Sequence, residues 1–241
     1  MIRFYSQHGE DIVLNFLFSG RTNGVFVEVG CIDGRRFSNT LMFEEMGWRG
    51  LCIEAHADYI SLLRRNRPRS IICHCAAADS DGEGATFYAN RRGSLSTLDG
   101  TKESEFRHRF GEYFHGFEIQ TVAKRRLDSL FAEHDIREVD VLSIDVEGEE
   151  ASVLRGIDFS SHRPRAIVLE CDDLEHEEKI DGILLPLGYI KSVRIANNVF
   201  YLADRELAQR LRNRTFTGEV THTEHPLDKG GDQLHQVIVT T

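Results

Sequence analysis

The sequence lacks the cysteine patterns from which disulfide frameworks and metal centres are built. Its five cysteines include no C-x-x-C pair, and their odd number argues against a disulfide framework. All of them lie in or beside apolar segments, as buried thiols do: Cys31, Cys52, Cys73, Cys75 and Cys171. Reduced thiols indicate a cytosol-like compartment, so we expect a cytoplasmic protein.

Long hydrophobic runs and an excess of basic charge are also missing. No apolar stretch approaches the roughly 20 residues that a membrane helix needs, and the N-terminus has no signal-peptide pattern. The 29 Lys and Arg residues face 39 Asp and Glu residues, which gives a formal charge of -10. A surface of this charge repels nucleic acids and anionic membranes. We therefore expect a soluble protein that binds neither.

The chain of 241 residues shows no internal repeat and no low-complexity linker, and its length suits one α/β domain. We predict a single domain over residues 1–241 with an N-terminal helix at 7–18, a core at about 24–203 and a polar C-terminal extension at about 214–241. The extension is polar and contains glycine, so we expect it to be loosely ordered. Nothing in the sequence indicates an oligomeric state.

What the sequence does contain is an alternation of apolar runs and amphipathic segments. Compact apolar runs predict strands at 25–29, 51–54, 70–75, 139–144, 165–169, 189–193 and 199–202. Periodic segments predict helices at 38–46, 59–65, 149–155 and 175–187. Such alternation builds a parallel sheet covered by helices. The predicted fold class is α/β and Rossmann-like, with a mostly parallel seven-stranded sheet, helices on both faces and a terminal antiparallel strand.

One long stretch interrupts this alternation. Residues 85–88 suggest a short strand, and the polar segment from Asn90 to His115 has no clear periodicity. A long connection inside a compact domain is often a lid or a substrate-binding loop. We expect this segment and the extension from Thr215 to shape the substrate pocket.

Acidic residues occur at the ends of several predicted strands. Glu28, Glu54, Asp145, Glu147 and Glu170 all lie at or just after a strand end. In an open parallel sheet, ligands bind at this edge, where the strand order reverses. Carboxylates that converge on one crevice repel each other. The pattern therefore indicates a ligand that is cationic or rich in hydrogen-bond donors.

Two glycines, Gly30 and Gly34, follow the first strand with the spacing G-x-x-x-G. A dinucleotide site needs the pattern G-x-G-x-x-G, whose middle glycine lets the pyrophosphate approach the backbone. Cys31 and Ile32 do not supply this glycine, so NAD binding is disfavoured. Glu54 comes about 20 residues after Gly34, at the end of the next strand, where a carboxylate accepts both ribose hydroxyls. S-adenosylmethionine fits this pattern, because it has a ribose, an ammonium and a sulfonium but no phosphate.

Each of these features has a purely structural alternative. The glycines could serve only a tight strand-to-helix turn, and Glu54 could be a surface carboxylate at a strand end. Asp145 and Glu147 could cap the following helix, because acidic side chains stabilise the positive N-terminal end of a helix. The joint occurrence of these residues in chain order favours the ligand-binding interpretation.

Several motifs together resemble those of the FkbM-type methyltransferases. They span roughly residues 6 to 203, and their combination is more specific than any one of them: Ser6-Gln7-His8-Gly9-Glu10-Asp11, residues 26–34, Ser38-Asn39-Thr40, residues 47–54 and residues 145–150. The resemblance implies a class I methyltransferase fold and S-adenosylmethionine as the donor, with S-adenosylhomocysteine as the product. It also implies an acceptor that is usually a hydroxyl of a sugar or a secondary metabolite.

The resemblance assigns the turn after the first strand to the donor. Glu28, Gly30 and Asp33 would line the methionine end of the donor, and Gly34 would complete the same turn. Asn39, near the start of the following helix, would help to hold it.

Further residues follow from the same resemblance. Glu54 would bind the ribose, and Ala77 would flank the adenine. Asp145 and Glu147 would border the methyl group and the acceptor, and Gln7 would help to place the N-terminal helix over the site. Two departures from the family occur. Ser143 stands where the family commonly has lysine, and Ala55-His56 follows Glu54 where proline is usual.

Methyl transfer to a hydroxyl requires an aligned acceptor and a base that removes its proton. Asp145 and Glu147 are the predicted catalytic residues, and His108 or His115 from the middle segment are alternatives. No metal site is predicted, although a divalent cation would accept the oxygens of Asp145 and Glu147 as ligands.

Two other functions compete with this prediction. A non-catalytic nucleoside-binding module would keep the fold and bind the donor without turnover. An NAD-dependent oxidoreductase would need the glycine that residues 30–34 omit. His222 and His225 could suggest a metal site in the tail, but their polar surroundings favour a surface position.

Overall fold

The computed structural model describes residues 2–223 and 231–241. Within these residues the helices are α1 (Glu10–Leu17), α2 (Leu41–Glu45), α3 (Ile60–Asn66), α4 (Glu103–Phe110), α5 (Leu127–Glu133), α6 (Glu150–Arg155), α7 (Leu174–Leu184) and α8 (Arg205–Leu211). The strands are β1 (Val25–Val29), β2 (Arg49–Glu54), β3 (Ile71–His74), β4 (Ala76–Ala77), β5 (Gly82–Asn90), β6 (Phe117–Arg125), β7 (Val141–Ile144), β8 (Ala166–Glu170), β9 (Ile190–Ile195), β10 (Asn198–Leu202), β11 (Thr215–Thr223) and β12 (Asp232–Thr240).

The main sheet has seven strands in the order β3-β2-β1-β7-β8-β10-β9. The first five strands of that order pair in parallel, whereas β10 is antiparallel to both of its neighbours, β8 and β9. The chain runs outward from β1 to β3 on one side and returns to β7 on the other, so the strand order reverses between β1 and β7. This topology confirms the predicted Rossmann-like fold with its terminal antiparallel strand.

Helices cover both faces of the main sheet, because successive side chains of each strand point to opposite sides. In β1, Val27 and Val29 pack with α5, α6 and α7, whereas Phe26 packs with α1, α2 and α8. Val27 and Phe26 are fully buried. A strand that is buried on both sides has a nearly continuous run of apolar residues. This is why β1 could be predicted from its sequence.

A second sheet of three strands, in the order β4-β6-β5, lies next to the main sheet. The strand predicted at 85–88 belongs to the longer β5, and β6 pairs with it antiparallel. The alternation in β6 is obscured because Ile119 is exposed among polar residues. The segment from Asn90 to His115 is more regular than expected, since it contains α4. Only Phe106 of this helix is buried, so its sequence lacks the periodic apolar residues from which a helix is predicted.

Two segments of the C-terminal extension, β11 and β12, form regular strands, so the expectation of loose order is wrong for these residues. The strands β11 and β12 pair antiparallel along their whole length. The hairpin buries Val220 and Val239, and the N–H of Thr221 donates to the carbonyl of Phe4 at 2.7 Å. A few buried apolar residues and a neighbouring backbone edge therefore order a segment whose composition is mostly polar.

The N-terminal helix is shorter than the predicted 7–18. Gly9 has a left-handed backbone (φ 96°) directly before α1, so Gln7 and His8 lie outside the helix. The buried Asp11 carboxylate accepts the N–H groups of Tyr5 and Ser6 and the Ser6 hydroxyl, which fixes the preceding segment. Among the described residues, no helix combines the length and apolarity needed to cross a membrane.

Candidate active site

A cavity of about 620 Å³ opens at the carboxyl ends of β1, β2, β7 and β8. This is the edge at which the strand order reverses, and the volume is within the usual range for small-ligand sites. Seven of the residues predicted to bind the donor contribute to its lining: Gln7, Glu28, Gly30, Asn39, Glu54, Ala77 and Asp145. Glu147, predicted with Asp145 to be catalytic, lines it too.

Gly30 brings the turns after β1 and β7 into contact. Its backbone is left-handed (φ 83°), and a Cβ atom at this position would lie 1.8 Å from the carbonyl oxygen of Asp145. Only glycine fits such an approach without moving one of the turns. The glycine at position 30 is therefore required by a contact between two turns of the protein, whereas its predicted role concerned the donor.

Asp33 and Gly34 do not line the cavity, in contrast to their predicted role at the donor. The buried Asp33 carboxylate accepts the backbone N–H groups of Arg35 and Arg36, so it closes its own turn. A Cβ atom at Gly34 would lie 2.5 Å from Leu63. Both residues therefore shape the loop and its packing on α3, behind the cavity wall.

Glu28 lines the cavity, but its carboxylate is engaged within the protein. It accepts hydrogen bonds from the hydroxyls of Ser38 and Thr40 and from the N–H of Asn39. It also forms an ion pair with Arg67 at 2.9 Å. Glu28 therefore holds the start of the following segment, and through it Asn39, in place.

Arg67 is a functional neighbour that the sequence did not reveal. It lies within the basic stretch 64–69, yet its side chain is fully buried between Glu28 and Glu44. Burial alone would lower the pKa of Arg67, but the adjacent carboxylates of Glu28 and Glu44 hold it above the ordinary value. No local pattern distinguishes this arginine from its exposed neighbours, because its burial depends on α3 packing under the β1 turn.

Asn39 links the β1 side of the cavity to β7. Its side-chain amide donates to the hydroxyl of Ser143 at 3.1 Å, and both residues are buried. Ser143 is the position at which the family commonly has lysine. In this chain the hydroxyl completes a neutral hydrogen bond at the cavity floor.

Glu54 ends β2 and is buried at the cavity wall. Its two oxygens accept the N–H groups of Ile32 at 2.6 Å and His56 at 2.7 Å. Burial raises the pKa of Glu54 to about 7, and these backbone hydrogen bonds act in the opposite direction. Next to Glu54, small and apolar side chains complete the wall, namely Ala55, Cys75, Ala76, Ala77 and Phe87.

Four carboxylates from the ends of β7 and β8 form an acidic wall, which consists of Asp145, Glu147, Glu170 and Asp172. The Asp145 side chain is exposed to the open space of the cavity, and the protein encloses that space on most sides. Burial and then Glu147 raise the pKa of Asp145 well above the ordinary value. Burial and then Glu170 raise the pKa of Glu147 to about 8, and burial and then Asp145 raise that of Glu170 to about 9. These shifts favour the protonated forms of the carboxyls in the wall.

The capping alternative for Asp145 and Glu147 does not match the geometry. The helix that follows, α6, begins at Glu150, and Glu150 itself accepts the N–H groups of Val146 and Gly148. Asp145 and Glu147 are left facing the cavity. The Glu147 carboxylate instead accepts the backbone N–H of Leu95, at 2.9 Å, from the middle segment.

Two triplets of carboxylates come within 4.8 Å of one another, and both include Glu170: one with Asp145 and Glu150, the other with Glu147 and Asp172. In each triplet one member already has protein partners. Glu150 accepts two backbone N–H groups, and Asp172 forms an ion pair with Arg109 at 2.9 Å. We therefore assign no metal to the acidic wall.

The family model described as the Methyltransferase FkbM domain matches residues 25–216. The chain belongs to this family. Membership of this family indicates that the protein is a methyltransferase. It also supports S-adenosylmethionine as the methyl donor, as predicted from the motifs. A comparison with curated proteins gives no match.

Solved structures of methyltransferases are similar to this FkbM domain at low identity. Precorrin-6Y C5,15-methyltransferase from Geobacter metallireducens is 13% identical, with 96% of this chain and 86% of that chain covered and a TM-score of 0.42. An O-methyltransferase from Bacillus cereus in complex with SAH is 12% identical, with 80% of each chain covered and a TM-score of 0.43. Ribosomal protein L11 methylase from Lactobacillus delbrueckii subsp. bulgaricus is 11% identical, with 80% and 74% covered and a TM-score of 0.41.

The middle segment closes one side of the FkbM domain's cavity. Lys102 donates to the carbonyl of Glu147 at 2.7 Å, and Arg109 pairs with Asp172. The segment therefore contacts the ends of both β7 and β8. The two histidines considered as bases, His108 and His115, are exposed and do not line the cavity.

A further part of the lining lies outside the residues that match the FkbM model. This terminal wall consists of Gln7, His8, His222, Thr223 and Gln233. The His222 ring lies 3.1 Å from the carbonyl of Gln7 and packs edge-on against Phe37. Burial lowers the pKa of His222, so it is neutral at pH 7. His225, the other histidine of the suggested tail site, lies outside the described residues.

Proposed function

We propose that this protein is an S-adenosylmethionine-dependent O-methyltransferase that acts on a hydroxyl group of a sugar or a secondary metabolite. The proposal is carried by one observation, the meeting of the Gly30 turn and the buried Glu54 carboxylate at a single cavity. A glycine turn without a pyrophosphate cradle, followed by a carboxylate at the end of the next strand, suits a nucleoside that has no phosphate.

The residues around Glu54 fit the adenosine part of such a donor. The carboxylate oxygens of Glu54 would accept the ribose hydroxyls, and Ala77 and Phe87 offer a small apolar slot for the base. The N–H of Ile32 already donates to Glu54, which leaves it unavailable to a diphosphate. This arrangement supports S-adenosylmethionine over NAD.

Asn39 and the acidic wall fit the other end of the donor. The carboxylates of Asp145 and Glu147 lie where they would neutralise an ammonium or a sulfonium, and a positive ligand lowers the pKa of a nearby carboxyl. The bound donor supplies a methyl group on a cationic sulfur, which is a good leaving group. The chain's own task is then to align the acceptor oxygen with that methyl group.

Asp145 and Glu147 are the proposed catalytic residues. Burial and the neighbouring carboxylates raise their pKa values in the free protein, and the positive donor would lower those values again and favour the ionised form. An ionised carboxylate beside the acceptor takes its hydroxyl proton as the new bond forms. Glu147 is held by the N–H of Leu95, so closure of the middle segment would also orient the base.

The acceptor is proposed to lie among the acidic wall, the middle segment and the terminal wall. Aromatic side chains from Phe37, Phe110 and Tyr113 line the cavity together with amides such as Gln7 and Asn198. Aromatic faces and amide groups together suit a small polyhydroxyl compound. The formal charge of -10 opposes a nucleic acid as the acceptor.

Calorimetric titration with S-adenosylmethionine and with NAD tests the donor. We expect only the former to bind, and we expect Glu54→Ala to weaken it by at least about tenfold, because hydrogen bonds to a charged group contribute roughly 1.5–3 kcal/mol each. Glu83→Ala, which removes an exposed carboxylate from β5, serves as the matched control and should bind like the wild type. Equal affinity in Glu54→Ala and Glu83→Ala contradicts the assignment of the ribose.

The acceptor class is tested by release of S-adenosylhomocysteine with a panel of neutral sugars, glycosides and hydroxylated aromatic compounds. Turnover that is lost in Asp145→Asn and Glu147→Gln even at saturating S-adenosylmethionine, where weaker donor binding no longer limits the rate, supports the proposed base. Donor binding without turnover on any hydroxyl compound favours the non-catalytic nucleoside-binding module instead.

A further inference from the structure

The turn that carries Asp145 and Glu147 has an unusual backbone. Glu147 has φ 56° and Gly148 has φ 100°, so two consecutive residues are left-handed. A non-glycine residue in this conformation is strained, and such strain persists only where neighbouring groups hold it. The direction in which the two carboxylates point therefore depends on what supports the turn.

Glu150 supports the turn from its protein side. One carboxylate oxygen, Oε1, accepts the N–H of Val146 at 2.9 Å and the N–H of Gly148 at 3.3 Å. These two N–H groups flank Glu147, the residue with the strained backbone. Glu150 is fully buried, so water does not replace these contacts.

The other oxygen of Glu150 meets a histidine from a different helix. Oε2 lies 2.9 Å from Nε2 of His176, which is on α7 and is mostly buried. The Glu150 carboxylate raises the pKa of His176, and Asp172 acts in the same direction, whereas burial and Lys102 oppose them. His176 therefore faces Glu150, and its protonated form would offset the repulsion between Glu150 and the other carboxylates.

We propose that Glu150 and His176 are positioning residues for the reaction: Glu150 holds the Asp145–Gly148 turn so that Asp145 and Glu147 face the cavity, and His176 holds Glu150. The inference rests on the proposed function, because it gives the turn a role in binding the donor and the acceptor. Neither residue lines the cavity, so both act through the turn.

A rescue series separates positioning from general stability. Glutamine at position 150 keeps an oxygen for the two N–H groups and can donate to a neutral His176, whereas alanine offers neither. We expect Glu150→Ala to bind S-adenosylmethionine at least about tenfold more weakly than the wild type, and Glu150→Gln to stay within about threefold. The matched control is Glu178→Gln, an exposed glutamate on the same helix as His176.

Amide hydrogen exchange supplies a second readout that needs no ligand. Peptides that cover residues 145–148 should exchange faster in Glu150→Ala and in His176→Leu, which has no donor for Glu150, than in Glu178→Gln. Wild-type exchange rates in His176→Leu, or wild-type donor affinity in a folded Glu150→Ala, overturn the proposal. If Glu150→Ala does not fold, the exchange rates in His176→Leu decide it.

The two proposals fail in different ways. Absence of S-adenosylmethionine binding to the wild-type protein rejects the proposed donor. The exchange rates at residues 145–148 still test whether Glu150 and His176 hold the turn.

Discussion

At the scale of single residues, the cavity depends on how closely two backbones approach at Gly30. The carbonyl of Asp145 occupies the space that any Cβ atom at position 30 would need. Gly47 offers a natural comparison, because its backbone is equally left-handed (φ 92°) but nothing lies within 4 Å of its missing Cβ. A substitution at Gly47 therefore tests only the free-energy cost of a left-handed backbone, whereas a substitution at Gly30 also tests the steric overlap with the Asp145 carbonyl.

Gly30→Ala should therefore lower both stability and donor affinity. The overlap with Asp145 must displace one of the turns, and we expect S-adenosylmethionine to bind at least about tenfold more weakly, as calorimetry would measure. Gly47→Ala should cost about 1–2 kcal/mol through its backbone alone, a decrease in Tm of several degrees. Equal donor affinity in the two variants contradicts the assigned role of the Gly30 approach.

At the scale of elements, the β11–β12 hairpin is attached to the domain through Arg35. The Arg35 side chain donates to the Thr223 hydroxyl at 2.9 Å and forms an ion pair with Asp232, so one residue contacts both strands. Both strands also place residues in the terminal wall of the cavity. The order of the hairpin and the shape of the cavity are thus linked.

Arg35→Met should loosen the hairpin without unfolding the protein. The ion pair is partly exposed, and such pairs contribute about 0–1 kcal/mol, so Tm should change little. Amide exchange in residues 215–223 and 232–240 should nevertheless accelerate, because local opening needs less free energy than global unfolding. Arg3→Met, which removes the exposed pair of Arg3 with Glu45, is the control and should leave these peptides unchanged.

At the scale of the whole molecule, buried carboxyls dominate the response to pH. Burial raises the pKa values of Asp11 and Glu54 to about 7, of Glu147 to about 8 and of Glu170 to about 9. Unfolded carboxyls titrate near 4, so between about pH 4.5 and 9 the folded state binds more protons than the unfolded state. Stability then falls as the pH rises through this window.

The free protein should accordingly have a lower Tm at pH 8.5 than at pH 6.5, as calorimetry would measure. His56 and His222 oppose this trend only near and below pH 6.5, because their pKa values are lowered in the folded state. The double substitution Glu147→Gln and Glu170→Gln should flatten the slope. A Tm that rises between pH 6.5 and 8.5 contradicts this account.

Much of the fold and part of the site were predictable because their signals are local. The apolar run of β1 and the positions of Gly30, Glu54 and Asp145 at strand ends follow from short stretches of sequence. The family resemblance assigned Asp33 to the donor, whereas its carboxylate accepts two N–H groups of its own turn and does not line the cavity. A residue's place in a motif predicts its element, but the direction of its side chain depends on neighbours.

The sequence by itself determined the seven strands of the main sheet and the edge at which the predicted site lies, because hydrophobic periodicity and turn residues act over a few positions. The tertiary structure alone decided which groups complete the cavity. Arg67 is buried because α3 packs under the β1 turn, and the hairpin is ordered because Thr221 pairs with Phe4, more than 200 positions away. Contacts of this range depend on how packed elements meet, and no local pattern encodes that geometry.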